Sequence, residues 1–227
     1  MDRVTLASMI DQTLLKPTIG YAEGSEWIDA NAEMGFASLC VSPFLVPPAS
    51  QRLAGTGTMV CSVVGFPLGY SLTEVKSEEA EHLAGLGCEE IDMVMHVGAF
   101  LEEEYRYVSD DIAAVVRATD AGSGGPGLVK VILETGHLEP DQIARASTLA
   151  VEAGARFVKT STGFGPRGAS VEDVAVMREA VGPDIGVKAA GGIRDLATAL
   201  AMIEAGADRL GASSGREILE ALDAGHG

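Results

Sequence analysis

Short apolar runs punctuate the chain and alternate with helical stretches. Eight runs read as strands: 9–15 (MIDQTLL), 36–42 (FASLCVS), 58–64 (TMVCSVV), 90–95 (EIDMVM), 128–134 (LVKVILE), 156–161 (RFVKTS), 185–189 (IGVKA) and 208–212 (DRLGA). Between them one theme recurs. A helical stretch ends in a small–Gly–small turn and feeds the next strand, as in AEMGFASLCVS, AGLGCEEIDMVM, EAGARFVKTS and EAGADRLGAS. There the glycine ends the helix. Helix starts are signalled by Ser71 with Glu74, by Ser170 with Asp173, by Pro140–Asp141 and by Asp195.

Strands alternating with helices predict a parallel sheet. Eight such units in 227 residues fit a closed (β/α)8 barrel better than a doubly wound sheet. The first strand rests partly on the barrel's need for an eighth. GSGGPG (122–127) joins a helix to a strand and is too short to divide domains. Residues 1–227 are therefore read as one barrel domain, with the final DAGHG expected to fray.

Two lysines break the apolar pattern. Lys159 lies in FVKTSTGFG (157–165) and Lys188 in GVKAAGGIRD (186–195), each at the end of an apolar run before small residues. Lysine is almost never fully buried unless paired or functional. Two ammonium groups facing one pocket repel, and the repulsion is relieved when one loses its proton. A neutral lysine is a nucleophile toward carbonyl carbon, so the pair suggests Schiff-base chemistry. A buried ion pair of either lysine with Asp92, an isolated charge in EIDMVM, is the structural alternative.

In a barrel the site lies at the C-terminal strand ends. The candidates are then Asp11, Thr13, Asp92, Lys130, Glu134, Lys159, Thr160, Ser161 and Lys188. Lys130 and Glu134, four apart in LVKVILE, could form a structural ion pair inside the barrel. AAGGIRD (189–195) and LGASSGRE (210–217) follow the seventh and eighth strands, the usual phosphate site of this fold. Ser213 and Ser214 could donate hydroxyls there, Arg194 could add charge, and TSTGFG could close a third side.

Composition narrows the partners. A net charge of −17 and a pI near 4.5 argue against a general nucleic-acid or anionic-membrane binder. Cys40, Cys61 and Cys88 form no CxxC, and reduced core thiols are expected. His82, His96, His137 and His226 form no metal-binding spacing, so neither a metal nor a cofactor is expected. His82 is expected to be solvated, and His96 and His137 could line the pocket mouth. With no signal peptide or membrane span in the pattern, a cytoplasmic protein is expected.

In their order, MIDQTLLKP (9–17), GFPLGYSLTEVK (65–76), EIDMVMHVGAF (90–100), LVKVILETGHL (128–138), FVKTSTGFG, VKAAGGIRD and LGASSG (210–215) resemble the deoxyribose-phosphate aldolase family over nearly the whole chain. The resemblance implies a class I aldolase that reversibly cleaves 2-deoxy-D-ribose 5-phosphate to acetaldehyde and D-glyceraldehyde 3-phosphate. Lys159 would form the Schiff base. Lys188 would stay protonated and tune it, and Asp92 would work with Lys188 in proton transfer. Asp11 and Thr13 would line the site, with Lys130 and Thr160 as further substrate-binding candidates. The phosphate would rest on Gly163, Gly191, Gly192, Gly211, Ser213 and Ser214. Proteins of this kind are often homodimers. Two positions depart from the family pattern. Gln12 stands for a histidine and is expected to point away from Asp11 and Thr13, and His96 stands for asparagine or proline. Another Schiff-base aldolase, or a non-catalytic sugar-phosphate binder, are the alternatives; the latter would have no need to keep Asp92, Lys159 and Lys188 together.

Overall fold

A computed structural model describes residues 1–225; His226, with the end of the DAGHG tail, lies outside the described residues. Eight parallel strands close into a barrel in sequence order. They are β1 (Ile10–Leu14), β2 (Ser38–Val41), β3 (Met59–Val64), β4 (Glu90–Val94), β5 (Leu128–Ile132), β6 (Phe157–Lys159), β7 (Gly186–Ala190) and β8 (Arg209–Ala212). Seven fall within their expected runs, shortened where the backbone leaves the ladder, and β7 runs one residue past its expected end, to Ala190. The eighth pairing, β1 with β8, places Asp11 beside Gly211.

The helices wrap the outside: α1 (Arg3–Ala7), α2 (Tyr21–Asn31), α3 (Val46–Leu53), α4 (Thr73–Gly85), α5 (Val97–Leu101), α6 (Tyr105–Ser123), α7 (Pro140–Glu152), α8 (Val171–Val181), α9 (Leu196–Glu204) and α10 (Gly215–Ala224). The four αβ turns end as read, with Gly35, Gly87, Gly154 and Gly206 at φ of 74°, 94°, 102° and 112°, a region that costs glycine little. Ser170 and Asp195 cap α8 and α9 by accepting from Asp173 N and Thr198 N. Pro140 opens α7 behind a capping box of Glu139 and Gln142. Ser71 does not cap α4: that helix begins at Thr73 with Leu72 in the cap position and no side-chain cap bond. Its first turn is instead held by Thr73 Oγ1 donating to Asp111 Oδ1 on α6, at 2.8 Å.

Two apolar regions follow from strand alternation. The large core lies between strands and helices and includes Leu39, Val60, Ile91, Met93, Val131, Val158, Val187 and Leu210. A small second cluster, Cys40, Cys61 and Val63 with Leu15 and Phe66, lies on the opposite strand face, inside the barrel. Among the described residues no helix is long and apolar enough to cross a membrane.

Candidate active site

Because Ile91 and Met93 pack toward the helices, Glu90 and Asp92 of β4 face the barrel axis. The same alternation turns Asp11, Lys130, Lys159, Lys188 and Arg209 inward. Asp92, fully buried, is the hub. Its Oδ2 accepts from Lys159 Nζ at 2.8 Å and from Lys188 Nζ at 2.7 Å, while Oδ1 accepts from Lys130 Nζ at 2.8 Å. The Cys61 thiol sits 3.4 Å from the same Oδ1. Lys188 also pairs with Asp11 Oδ2 at 2.5 Å. Lys130 touches Glu90 at 2.6 Å and Asp11 at 3.6 Å. Thus both lysines that opened the sequence argument meet on one carboxylate oxygen, and the ion pair with Asp92 is present for each.

Burial and neighbouring charge oppose each other here. Burial disfavours the Lys188 ammonium, but the Asp11 and Asp92 carboxylates outweigh it and raise its pKa above the usual lysine value. Lys130 is raised well above that value in the same way, by Asp92 foremost among its charged neighbours. For Asp92, burial favours the neutral acid, and the ammonium groups of Lys130, Lys159 and Lys188 reverse it, holding the carboxyl well below its ordinary range. Asp11 is lowered likewise against its burial, by Lys188, Lys130 and Arg209.

Lys130 and Glu134 do not pair. The Lys130 ammonium is held by three carboxylates and lies fully buried. Glu134 instead accepts from Thr162 Oγ1 at 2.5 Å, joining the loop after β5 to the loop after β6. The Thr160 hydroxyl is spent on β7, donating to Ala190 O and accepting from Ala190 N, both at 3.0 Å. Thr13 is half-buried and donates to the Asp11 carbonyl at 2.9 Å. The Ser161 hydroxyl is buried with no protein partner among the described residues.

The glycine-rich loops sit at the ends of β6, β7 and β8. Gly168 packs so closely on Gly191 that a Cβ would lie 2.1 Å from the Gly191 carbonyl oxygen, and Ala169 N donates to Ala190 O and Gly191 O. This seals the β6 loop, carrying Gly163, to the β7 loop, carrying Gly191 and Gly192. Gly211 makes room for the catalytic candidate itself, since a Cβ there would meet Lys188 Cε at 3.2 Å. Ser213 is exposed and Ser214 half-buried, just before α10. Gln12 points out of the barrel, away from Asp11 and Thr13, as expected. Its Oε1 accepts from Gly215 N at 2.9 Å and its Nε2 reaches Ser213 O at 3.4 Å, so it grips the β8 loop from behind.

Of the histidines, His82 is exposed. His96 caps α5 by accepting from Ala99 N at 3.1 Å. His137 lies at the rim of an apolar cleft of about 550 Å³, lined also by Pro67, Leu68, Val94 and Phe164, over the ends of β3 to β6. Cys40, Cys61 and Asp92 bring three donor atoms within 4.8 Å of one another, as do Asp11, Cys61 and Glu90. Those carboxylates already face ammonium groups, which would repel a cation. The three cysteines are free and buried, as expected, but Cys40 and Cys61 lie inside the barrel beside Asp92 rather than in the large core.

Sequence reasoning missed Glu90 and Arg209. Arg209 donates to Asp11 Oδ1 at 2.5 Å and to Glu90 Oε2 at 3.2 Å. The signal was available, since Glu90 stands two residues from Asp92 and so shares its face.

Amines and a carboxylate converging at the C-terminal strand ends of a closed parallel barrel define a barrel lyase of the amine-dependent kind. The chain belongs to the DeoC/LacD aldolase family, whose model matches residues 4–221. It is 50% identical over 214 residues to a deoxyribose-phosphate aldolase of Enterococcus faecalis, covering 94% of this chain and 96% of that protein. Among solved structures, the aldolase QR15 superposes with a TM-score of 0.90 at 41% identity, covering 97% of each chain. A tetrameric deoxyribose phosphate aldolase from Aeropyrum pernix gives 0.88 at 32% identity, covering 98% of this chain and 92% of that one.

Proposed function

We propose that the protein is a class I aldolase that reversibly cleaves 2-deoxy-D-ribose 5-phosphate to acetaldehyde and D-glyceraldehyde 3-phosphate, in deoxyribonucleoside catabolism. The observation that carries the reading is that Lys159 and Lys188 share one oxygen of Asp92. A sugar-phosphate binder would have no use for that costly arrangement.

In this reading the Lys159 amine attacks C1 of the open-chain sugar and water leaves to give a protonated imine. The imine draws the electron pair of the C2–C3 bond as that bond breaks, leaving an enamine on Lys159. The C3 hydroxyl surrenders its proton as C3 becomes the aldehyde of the departing product. Protonation of the enamine at C2 and hydrolysis then free acetaldehyde and Lys159. Asp92 and Lys188 exchange these protons through water. Lys188 is suited to remain an ammonium because Asp11 and Asp92 flank it. Lys159 touches one carboxylate, Lys188 two and Lys130 three, so Lys159 has the fewest carboxylate partners of the three amines.

Gly163, Gly191, Gly192, Ser213 and Ser214 receive the phosphate in this reading, through backbone N–H groups and hydroxyls. Asp11, Lys130 and Thr160 act from beneath or behind the substrate, because their polar atoms are engaged by protein. Thr13 lines the rim. We take the active form to be a homodimer in the cytoplasm. Leu68, Tyr70 and Leu72 between β3 and α4, with Val75 in the first turn of α4, are all more than half exposed and supply an apolar surface for such an interface.

Retro-aldol activity on 2-deoxyribose 5-phosphate, coupled to detection of glyceraldehyde 3-phosphate, tests the assignment. Turnover of this substrate and not of ketose phosphates is expected. The reverse preference would move the protein to a different aldolase.

A further inference from the structure

We propose that Glu134 is a positioning residue for the phosphate end of the substrate: it ties down Thr162 so that Gly163, at the apex of the loop after β6, offers its N–H to the anion. The inference rests on the reading of that loop as a phosphate contact.

Two observations single out Glu134. It stands just past β5 with φ at 55°, and Glu103 is the one other non-glycine residue with positive φ among the described residues. Glu103 is exposed in the turn between α5 and α6, whereas Glu134 is 5% exposed. Glycine would hold that backbone at little cost, so a glutamate there in spite of the strain points to a use for its side chain. The second observation is where the carboxylate ends. Thr162 Oγ1 donates to Oε2 at 2.5 Å, and Thr162 N lies 3.3 Å from Oε2 and 3.4 Å from Oε1. Gly165 admits the carboxylate, since a Cβ there would lie 2.6 Å from Oε1.

Thr162 passes the constraint along the loop. Its hydroxyl oxygen, while donating to Glu134, accepts from Phe164 N at 3.0 Å. A hydroxyl that accepts from an amide donates more strongly, so the two bonds reinforce each other. The residues on both sides of Gly163 are thus fixed, and Gly163 turns between them at φ 88°. Its own N–H makes no hydrogen bond among the described residues, and the space beside its Cα is open. A free N–H in a glycine turn suits an anion. Farther out, Arg167 Nη2 donates to Thr135 O at 3.0 Å and the guanidinium pairs with Asp173, joining the same two loops nearer the surface. Glu134 is the inner clamp. Thr162 and Gly165 cover its carboxylate, so it acts through them rather than by touching the substrate.

Kinetics of the full-length protein on 2-deoxyribose 5-phosphate and on free 2-deoxyribose test this. Glu134→Ala is expected to raise KM for the phosphorylated sugar about ten-fold, the cost of the lost buried hydrogen bonds, with kcat and the kcat/KM on free sugar near wild type. Glu134→Gln keeps an acceptor oxygen for Thr162 and holds KM near wild type. Glu134→Gly separates backbone from carboxylate: it relieves the positive φ and resists denaturant better than Glu134→Ala, yet shows the same raised KM. Thr162→Val removes the hydroxyl at nearly constant shape and raises KM in the same selective way, an arm that stands if a Glu134 variant does not fold. Equal losses on both sugars, a wild-type KM in Glu134→Gly, or an unchanged KM in folded Glu134→Ala or Thr162→Val overturns the proposal. A wild-type protein with the same KM for both sugars would instead overturn the phosphate reading of the loop, and the inference with it.

Discussion

At the scale of single residues the proposed chemistry rests on an imbalance between identical groups. Three lysines enter one barrel, and they differ in how many carboxylates each touches. Lys188 is the neighbour held charged, its pKa raised by Asp11 and Asp92 against its burial. The sign of its influence follows. A fixed ammonium beside Lys159 favours the neutral amine there, so removing it favours the charged amine. Lys188→Leu is therefore expected to move the pH profile of acetaldehyde trapping to higher pH, with a loss of about ten-fold or more near neutrality. Circular dichroism would establish that the fold survives, and a profile identical to wild type would remove the electrostatic role. Lys159, Lys188 and Asp92 were legible in the sequence because each is a charge inside an apolar run. Arg209 and Glu90 were not singled out because they stand at strand starts, where a charge reads as a solvated end. Barrel closure instead brings those starts together around Asp11.

At the scale of elements, contacts from behind the barrel hold the loops proposed to receive the phosphate. Gln12 on β1 accepts the Gly215 N–H at the start of α10, fixing the Ser213–Ser214 turn. Gln12→Ala is expected to raise KM for the phosphorylated sugar about ten-fold, the cost of one buried polar contact, with little change in kcat. Steady-state kinetics separates the two, and a fall in kcat at constant KM would contradict this role. The alternation argument correctly turned Gln12 away from the site, but no sequence pattern tied it to the β8 loop, because that contact spans the closure of the barrel.

A second element-scale device is the buried pair of Lys76 on α4 and Asp111 on α6, 2.7 Å apart with both side chains inaccessible. Lys76 also donates to Val94 O at the end of the Asp92 strand, at 3.1 Å. Lys76→Met alone strands a buried carboxylate and is expected to destabilise by about 3 kcal/mol. Replacing both, with Asp111→Leu, recovers most of that in denaturant unfolding; an equal loss in both variants would show that packing, not charge, is the cause. Lys76 lies within a charged helical stretch, where a lysine on the sequence reads as surface.

At the scale of the whole molecule, the barrel sorts charge by location. The apolar core lies between strands and helices, and the barrel interior holds the ionic network. The eight strands and the αβ turns were legible because glycine at the helix ends and β-branched runs are local signals. The Ser71 cap misled because Leu72 and Thr73 start α4 later, where a contact to Asp111 on another helix replaces a local cap. Loop positions were read correctly to the strand, while the partners that fix them depend on closure.

The central claim is that one amine in this network does covalent chemistry and the others tune it. Borohydride reduction in the presence of acetaldehyde, followed by peptide mass spectrometry, tests it most directly. A single ethyl adduct on Lys159, lost in Lys159→Arg, is the predicted result. An adduct on Lys188 or Lys130 instead, or none on folded protein, would contradict it.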